Sequence, residues 1–488
     1  MGNEHMQSGD PLNVVRRFIV DTTDRRDDLD GRKWEDLRRI RAGDSIGAQD
    51  QPFDLLQSEQ GGLIASVQPA PNLSDGYTID SDAEAGLACM LTHCLLPLRW
   101  EGENGFLLHR GVASAGGLYP IELRLRGNLG SGSALYLLDP RQRFLSQLET
   151  RSDLGDDCEV RLLLSGRIDW CLDPYGDLSG SLIALEAGML AAQLSLFAAS
   201  EGWEVDCNAV IDPAEARKEF SLSRDCDVPL IIVTLRSTNT SGLRDGLALS
   251  KRKTFSLPDF SAELSRYPRL AGYLEACETV QSDMSALPIV GPVIQANRTE
   301  LSENDLKRLC AHRSAGAKDG IGRPNEVWGD AELVEFGDAY RRCAFAGPSD
   351  ELLPLCAIYL TLRHSSQGCA AFDLDPSTGQ MTRMEAADPV QIGETLAIGG
   401  GAMEIVIGID DVAALNRAGP RGYLLSNILA GGLAQRLTLA TTSCGRDARP
   451  LRSYDDGETN RLLPFAYRTT LQIRVARSIR PNPALAIA

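Results

Sequence analysis

The sequence predicts an α+β protein built from two tandem copies of one unit, and three matches along the chain predict it. Ala134-Leu135-Tyr136-Leu137-Leu138-Asp139-Pro140 is an apolar strand closed by an Asp-Pro turn, and Ala370-Ala371-Phe372-Asp373-Leu374-Asp375-Pro376 repeats it at an offset of 236. Ala187, Leu190, Ala191, Leu194, Phe197 and Ala198 fall on one helical face that ends at Gly202, a C-cap glycine. Ala430, Leu433, Ala434, Leu437, Ala440 and Thr441 repeat that spacing and end at Gly445, an offset of 243. The stretch from Ser114 to Pro120, which feeds a strand, has a counterpart from Ser349 to Pro354 at an offset of 235. Collinear matches that join the same element types at nearly one offset mark an internal repeat.

Taken in order, residues 1–80 are polar and charged and read as an arm or a small extra domain, with a short helix from Trp34 to Ile40. Residues 81–240 form the first unit. Ile121 to Leu125 alternates apolar and polar at period two and predicts a half-buried strand. The small residues before it, Ala113-Ser114-Ala115-Gly116-Gly117, suit a tight loop that brings backbone close to a ligand. Val228 to Val233 closes this unit as a β-rich run. Residues 241–300 read as a linker with a helix near Leu270 to Cys277, and 301–488 as the second unit, closed by Thr470 to Val475. A fused duplicate of a self-pairing unit predicts an intramolecular pseudo-dimer, with a monomer as the expected state, because isologous two-fold pairing is the commonest arrangement.

The chain has 488 residues, 43% of them hydrophobic and 24% charged, which is the balance of a water-soluble globular protein with two sizeable cores. Its net charge of -18 repels nucleic acid and anionic membrane surfaces, so neither is expected as a partner. The start, Met1-Gly2-Asn3-Glu4-His5, lacks a basic region followed by an apolar run, and a cytoplasmic location is expected. Twelve cysteines are scattered without a Cys-x-x-Cys pair and only five histidines accompany them, so buried free thiols and no metal site are expected.

Ala113-Ser114-Ala115-Gly116-Gly117-Leu118-Tyr119-Pro120-Ile121-Glu122 resembles the signature loop of the SagB-type branch of the nitroreductase-like flavoproteins, with Ala113 where a proline is usual. Leu135-Tyr136 with Asp139-Pro140, and Leu185-Glu186-Ala187-Gly188, resemble the same branch in the expected order. The resemblance implies a nitroreductase-like fold, here duplicated in tandem, with FMN bound between subunits. It also implies oxidation of peptide thiazolines or oxazolines to thiazoles or oxazoles, on a precursor peptide, beside a cyclodehydratase complex. In such a fold each flavin takes its phosphate cradle from one unit and the Ser-containing loop from the other.

The two halves differ in complementary ways. His312-Arg313-Ser314-Ala315-Gly316-Ala317-Lys318 loosely resembles the family's phosphate-binding stretch, whereas Arg39 to Ser45 fits it poorly. Conversely, the Ala-Gly-Gly of the first-half loop is replaced by Asp350-Glu351, whose charges would repel an anionic cofactor. One composite FMN site is therefore expected. The resemblance assigns Ser114, Ala115 and Gly116 from the first half and, from the second, Arg313, Ser314 and Lys318 with Arg474 or Arg477 at the phosphate and backbone near Arg446 facing the flavin N5. Tyr175 matches a catalytic Lys-Tyr pair, but Pro174 stands where the lysine belongs, so the base falls to Asp173, Asp177 or a lysine such as Lys218. Glu122 and Glu186 match the family pattern and are read as structural. Two alternatives are an NAD(P)H-dependent reductase of nitro or quinone compounds, and a scaffold of a peptide-modifying complex that holds no flavin.

Overall fold

The computed structural model describes residues 10–23, 72–80, 82–83, 85–100, 108–129, 133–140, 143–150, 159–222, 226–237, 244–254, 264–278, 300–313, 327–343, 350–364, 368–384, 403–451, 468–476 and 485–486. The helix expected from Trp34 to Ile40 lies outside them. The chain opens with α1 (Pro11–Thr23), followed by β1 (Asn72–Ile79), α2 (Gly86–Leu95) and the short strands β2 (Arg99–Trp100) and β3 (Leu108–His109). The first unit continues with β4 (Ile121–Asn128), β5 (Ser133–Asp139), β6 (Phe144–Thr150), β7 (Glu159–Arg167), α3 (Asp169–Tyr175), α4 (Ser179–Ser200), β8 (Glu204–Asn208), α5 (Pro213–Glu219) and β9 (Asp227–Arg236). After β10 (Leu247–Thr254) and α6 (Pro268–Glu278) comes the second unit. It comprises α7 (Glu303–His312), α8 (Asp330–Arg342), β11 (Cys356–His364), β12 (Gly368–Leu374), β13 (Met381–Arg383), β14 (Met403–Ile409), α9 (Asp411–Ala418), α10 (Gly422–Ser443), β15 (Asp447–Leu451), β16 (Arg468–Ala476) and β17 (Leu485–Ala486).

The duplication is visible in the sheets. The second runs β13-β12-β11-β14-β16-β15, and the first contains the matching series β6-β5-β4-β7-β9-β8, extended at one edge by β1 and β10. The first sheet thus draws strands from both sides of the 81–240 segment. One irregularity repeats: the β7–β9 register shifts between Leu164 and Ser165, and the β14–β16 register shifts between Ile407 and Gly408, an offset of 243. The helix ends repeat too, because Gly176 and Gly419 (φ 53° and 58°) open the turns before the long helices, and Gly202 and Gly445 (φ 72° and 70°) follow them. At these positions a left-handed backbone favours glycine.

Each sheet packs on its own 22-residue helix, α4 or α10, and the two helices pack on each other, giving a sheet–helix–helix–sheet stack with one continuous core. Both helices are buried nearly end to end, so they lack a polar face and read as apolar runs. Their crossing is reciprocal. A Cβ at Gly188 would lie 2.0 Å from the Ile428 carbonyl oxygen, and a Cβ at Gly431 would lie 2.0 Å from that of Leu185. Residues 185 and 188 correspond to 428 and 431 at the repeat offset of 243, so residue i meets j and j meets i, the signature of a two-fold interface inside one chain.

Outside this frame, α5 lies on the outer face of the first sheet, where Ala216 and Phe220 join Leu135, Leu163 and Ile232 in a separate small cluster. Asp212 caps α5 by accepting from the Ala214 and Glu215 amides. The helix expected near Leu270 to Cys277 is α6. It pairs with α1, whose Phe18 stacks on Tyr273 at 4.3 Å between ring centroids. Tyr273 in turn meets Tyr423 edge-on at 5.7 Å and lies over Gly180. Gly180 and Tyr423 are equivalent positions in the two halves, so the α1–α6 pair straddles the pseudo-two-fold axis.

Candidate functional site

The loop from Arg110 to Pro120 sits where the two halves meet. A 3-10 turn, Ala115–Gly117, forms its tip, and left-handed geometry at Gly116 (φ 58°), Gly117 (φ 63°) and Tyr119 (φ 50°) folds it back on itself before β4 begins. Such a φ is uncommon for a tyrosine and is maintained only where its surroundings compensate. Here they do. The Tyr119 side chain is buried, its hydroxyl accepts from the Arg110 amide at 3.0 Å, and the Arg110 guanidinium lies 4.4 Å from its ring centroid.

Both halves hold the loop. From the second half, Arg313 at the end of α7 donates Nε to the Gly111 carbonyl at 2.9 Å and Nη2 to those of Arg110 and Val112 at 3.1 and 3.2 Å. Gln435 on α10 donates Nε2 to Gly111 at 3.2 Å and to Gln193 Oε1 on α4 at 2.5 Å. From the first half, Glu186 on α4 is hydrogen-bonded to the Ser114 hydroxyl and to the Ile121 amide. Ser114 Oγ also accepts from the Tyr119 amide at 2.8 Å, which leaves its hydroxyl proton to Glu186. Burial pushes the Glu186 carboxyl from its ordinary 4.5 up to about 7, against the opposing pull of Ser114, Arg110 and the Ile121 amide. Burial also raises the Tyr119 hydroxyl and lowers the Arg110 guanidinium.

The structure therefore brings Ser114, Ala115, Gly116 and Arg313 together across the halves, with Arg313 turned to the loop's carbonyls. Arg313, 2% exposed, faces backbone carbonyls of the first-half loop and not a solvent-facing anion site. Arg446 pairs with Glu332 at 2.8 Å and lies 3.9 Å over the Trp328 ring. Arg474, in the middle of β16, is buried against Glu404 at 2.5 Å. Glu404 is raised by burial to about 7, with Arg474 and Gln472 holding it down. Ser314, Lys318 and Arg477 lie outside the described residues, as do Pro348 and Ser349; Asp350 and Glu351 open a 3-10 turn ahead of β11.

Tyr175 ends α3, half-buried against the core, one residue before the turn that starts α4. That turn is secured from α6: Arg269 pairs with Asp177 at 3.1 Å, and Tyr267 lies beside Gly176. Tyr175 and the Ser114 loop thus flank the same end of α4, since Glu186 stands seven residues into the helix, about 10 Å along its axis. Lys218 is exposed on α5, across the first sheet from the helix pair, and cannot serve this site. Glu122 belongs to a buried ionic network behind the loop, in which Arg124 bonds Glu122 at 3.3 Å and Arg167 bonds Asp169 at 2.6 Å. The described cysteines are free thiols, and no metal-ligating cluster occurs among the described residues.

Sequence reasoning missed Arg110, Gln193 and Gln435. Gln193 carried a signal, as the one amide in a largely apolar buried helix, where an unpaired amide is costly; Gln435 stood among other polar residues of α10.

As a test of fit to a flavin, the described residues give half an answer. The small-residue loop, half-exposed with backbone turned by two left-handed glycines, suits a flat ring laid against main chain. The two described arginines expected at the phosphate, Arg313 and Arg474, are each engaged by protein, and an anion would compete with Glu404 for Arg474; the Arg446 side chain is taken by Glu332. No family model and no curated protein matches the chain. Among solved structures, a candidate nitroreductase from Anabaena variabilis is similar over 95% of this chain and 99% of its own, with a TM-score of 0.63 at 15% identity. The chain has a nitroreductase-like fold, and the likeness spans both halves. Shorter similarities extend to the Escherichia coli microcin synthetase McbBCD complex with truncated pro-MccB17 bound (TM-score 0.28, 12% identity, 33% of this chain and 68% of that one) and to a candidate nitroreductase from Ralstonia eutropha (0.25, 17%, 40% and 88%).

Proposed function

We propose that this protein is an FMN-dependent oxidoreductase with one composite site per chain, and that it dehydrogenates thiazoline or oxazoline rings in a ribosomally made peptide, alongside a cyclodehydratase that forms those rings. The observation that carries the reading is the junction at the Arg110–Pro120 loop. A glycine-turned loop of the first half is held by Arg313 and Gln435 of the second, the between-units position where this fold would seat a flavin. Its counterpart opens on Asp350 and Glu351 and is unsuited to an anion. When bound, FMN would accept the hydride, and the chemistry of that transfer belongs to the cofactor.

The chain's own residues then orient and handle protons. Ser114, Ala115 and Gly116 present backbone, and Ser114 is fixed through its hydroxyl by Glu186. On this reading the phosphate falls first to Ser314, Lys318 and Arg477. Tyr175 stands at the mouth of α4, with Asp177 as neighbour; for Asp177 to accept a proton, its ion pair with Arg269 has to open. The test is incubation of the purified protein with FMN and a thiazoline-bearing peptide, with thiazole formation followed by mass and absorbance. Tyr175→Phe should slow turnover with flavin content unchanged. Retained flavin with no ring oxidation would move the protein to another flavin reaction, such as nitro or quinone reduction.

A second reading, a flavin-free scaffold of the same peptide-modifying machinery, is favoured by one observation. Arg313, Arg446 and Arg474 all serve internal contacts.

A further inference from the structure

The repeat makes visible what is special about one loop. Glu186 corresponds to Leu429 at the offset of 243, and Leu429 is likewise buried, at 3% exposure. One half has thus placed a carboxyl where its twin is apolar, and the other contributes a buried guanidinium, Arg313, from the end of α7. Both polar groups act on the same stretch, Arg110 to Ile121.

We propose that Glu186 and Arg313, one from each half, are positioning residues for the Arg110–Ile121 loop, and that proton loss from Glu186 loosens the loop on its side. The inference rests on the proposed site only in taking this loop as its functional part. Arg313 gathers three successive buried carbonyls, of which Gly111 also accepts from Gln435. Glu186 closes the chain from the Tyr119 amide through the Ser114 hydroxyl, and also takes the Ile121 amide. The charged and titratable groups around Glu186 are Arg110 and Tyr119 from the loop, with Arg313 beyond Tyr119.

Loop opening would hydrate Glu186 and return it towards an ordinary carboxyl. Its affinity for a proton is higher when the loop is closed, about 7 against 4.5, so closure is favoured fully below the lower value and weakened as pH rises through the higher.

The test is hydrogen–deuterium exchange of peptides covering 110–121, between pH 5 and pH 8, corrected for intrinsic exchange and referenced to a peptide from the middle of α10. Wild-type protection is expected to fall at least tenfold across this range, and Glu186→Gln to flatten the profile. Because Glu186→Gln can destabilise a buried site, Ser114→Ala serves as a second variant: it removes the hydroxyl that joins loop to carboxyl and is expected to shrink the pH step. A flat wild-type profile, or an unchanged step in either folded variant, overturns the proposal. The readout needs no flavin, so a colourless protein with the expected profile sinks the flavin reading and leaves this one standing.

Discussion

Gly188 and Gly431 test the two-fold core most sharply. In Gly188→Ala the new Cβ would sit 2.0 Å from the Ile428 carbonyl oxygen, and in Gly431→Ala 2.0 Å from that of Leu185. An ordinary contact begins near 3.4 Å, so the helices must part locally by about 1.4 Å. Both obstacles are backbone, which no rotamer change can clear. Overpacking of a well-filled core costs about 1–3 kcal/mol and occasionally more. The backbone obstacle puts each site at the upper end, about 3 kcal/mol, and the alanine's helix propensity returns about 1 kcal/mol, so each single substitution should lose roughly 2 kcal/mol. The double variant is the informative one. A single separation of α4 from α10 relieves both clashes, so its loss should fall short of the sum of the singles by about 1 kcal/mol, a coupling expected of residues that share one interface. Urea unfolding of the four proteins measures this. Losses that simply add, or singles indistinguishable from wild type, would refute the reciprocal crossing.

Other consequences are equally accessible. Arg313→Ala strips the buried Arg110 and Val112 carbonyls of their donor, while Gly111 keeps Gln435, and should cost at least about 2 kcal/mol, since unsatisfied buried groups cost about 1–3 kcal/mol each; calorimetry checks it, and a loss under 1 kcal/mol would mean the loop rearranges freely. Glu186 and Glu404 both have folded-state pKa values raised to about 7 from 4.5, so global stability should decline as pH rises from about 4.5 to about 7 and level off above, each contributing up to about 3 kcal/mol. Denaturant midpoints across that range report the slope, and Glu404→Gln should remove its share. Phe18→Ala removes a buried ring, 3% exposed and stacked on Tyr273, and should cost the docking of α1 about 3 kcal/mol; limited proteolysis should then release the N-terminal segment faster, and an unchanged cleavage rate would deny α1 a structural role.

Much of the fold was legible because it is periodic. Gly202 and Gly445 stand where C-cap glycines were expected, and the runs Val228–Val233 and Thr470–Val475 became the interior of β9 and β16. What escaped was structure whose partners lie far along the chain. β1 carries Asn, Ser, Asp, Gly and Thr and read as arm, yet it lies between β10, with which it pairs along its whole length, and β6, which it meets over Gly76–Thr78. α1 lies in the same arm and was missed there, although Val15, Phe18 and Ile19 already fall at helical spacing.

The site was legible in its loop and not in its cations. An arginine in a sequence offers a charge, and nothing in its neighbourhood says whether an acid will fold against it. Glu404 is 70 residues from Arg474 and Glu332 is 114 from Arg446. Burial decided the matter, since a buried guanidinium left without partners is too costly to keep.

The central claim, a divided flavin site used once per chain, is tested most directly by FMN stoichiometry. Purified protein equilibrated with FMN and freed of excess should retain one flavin per chain by absorbance after denaturation. Two per chain would contradict the loss of the second site, and none, in a folded protein, would contradict the flavin altogether.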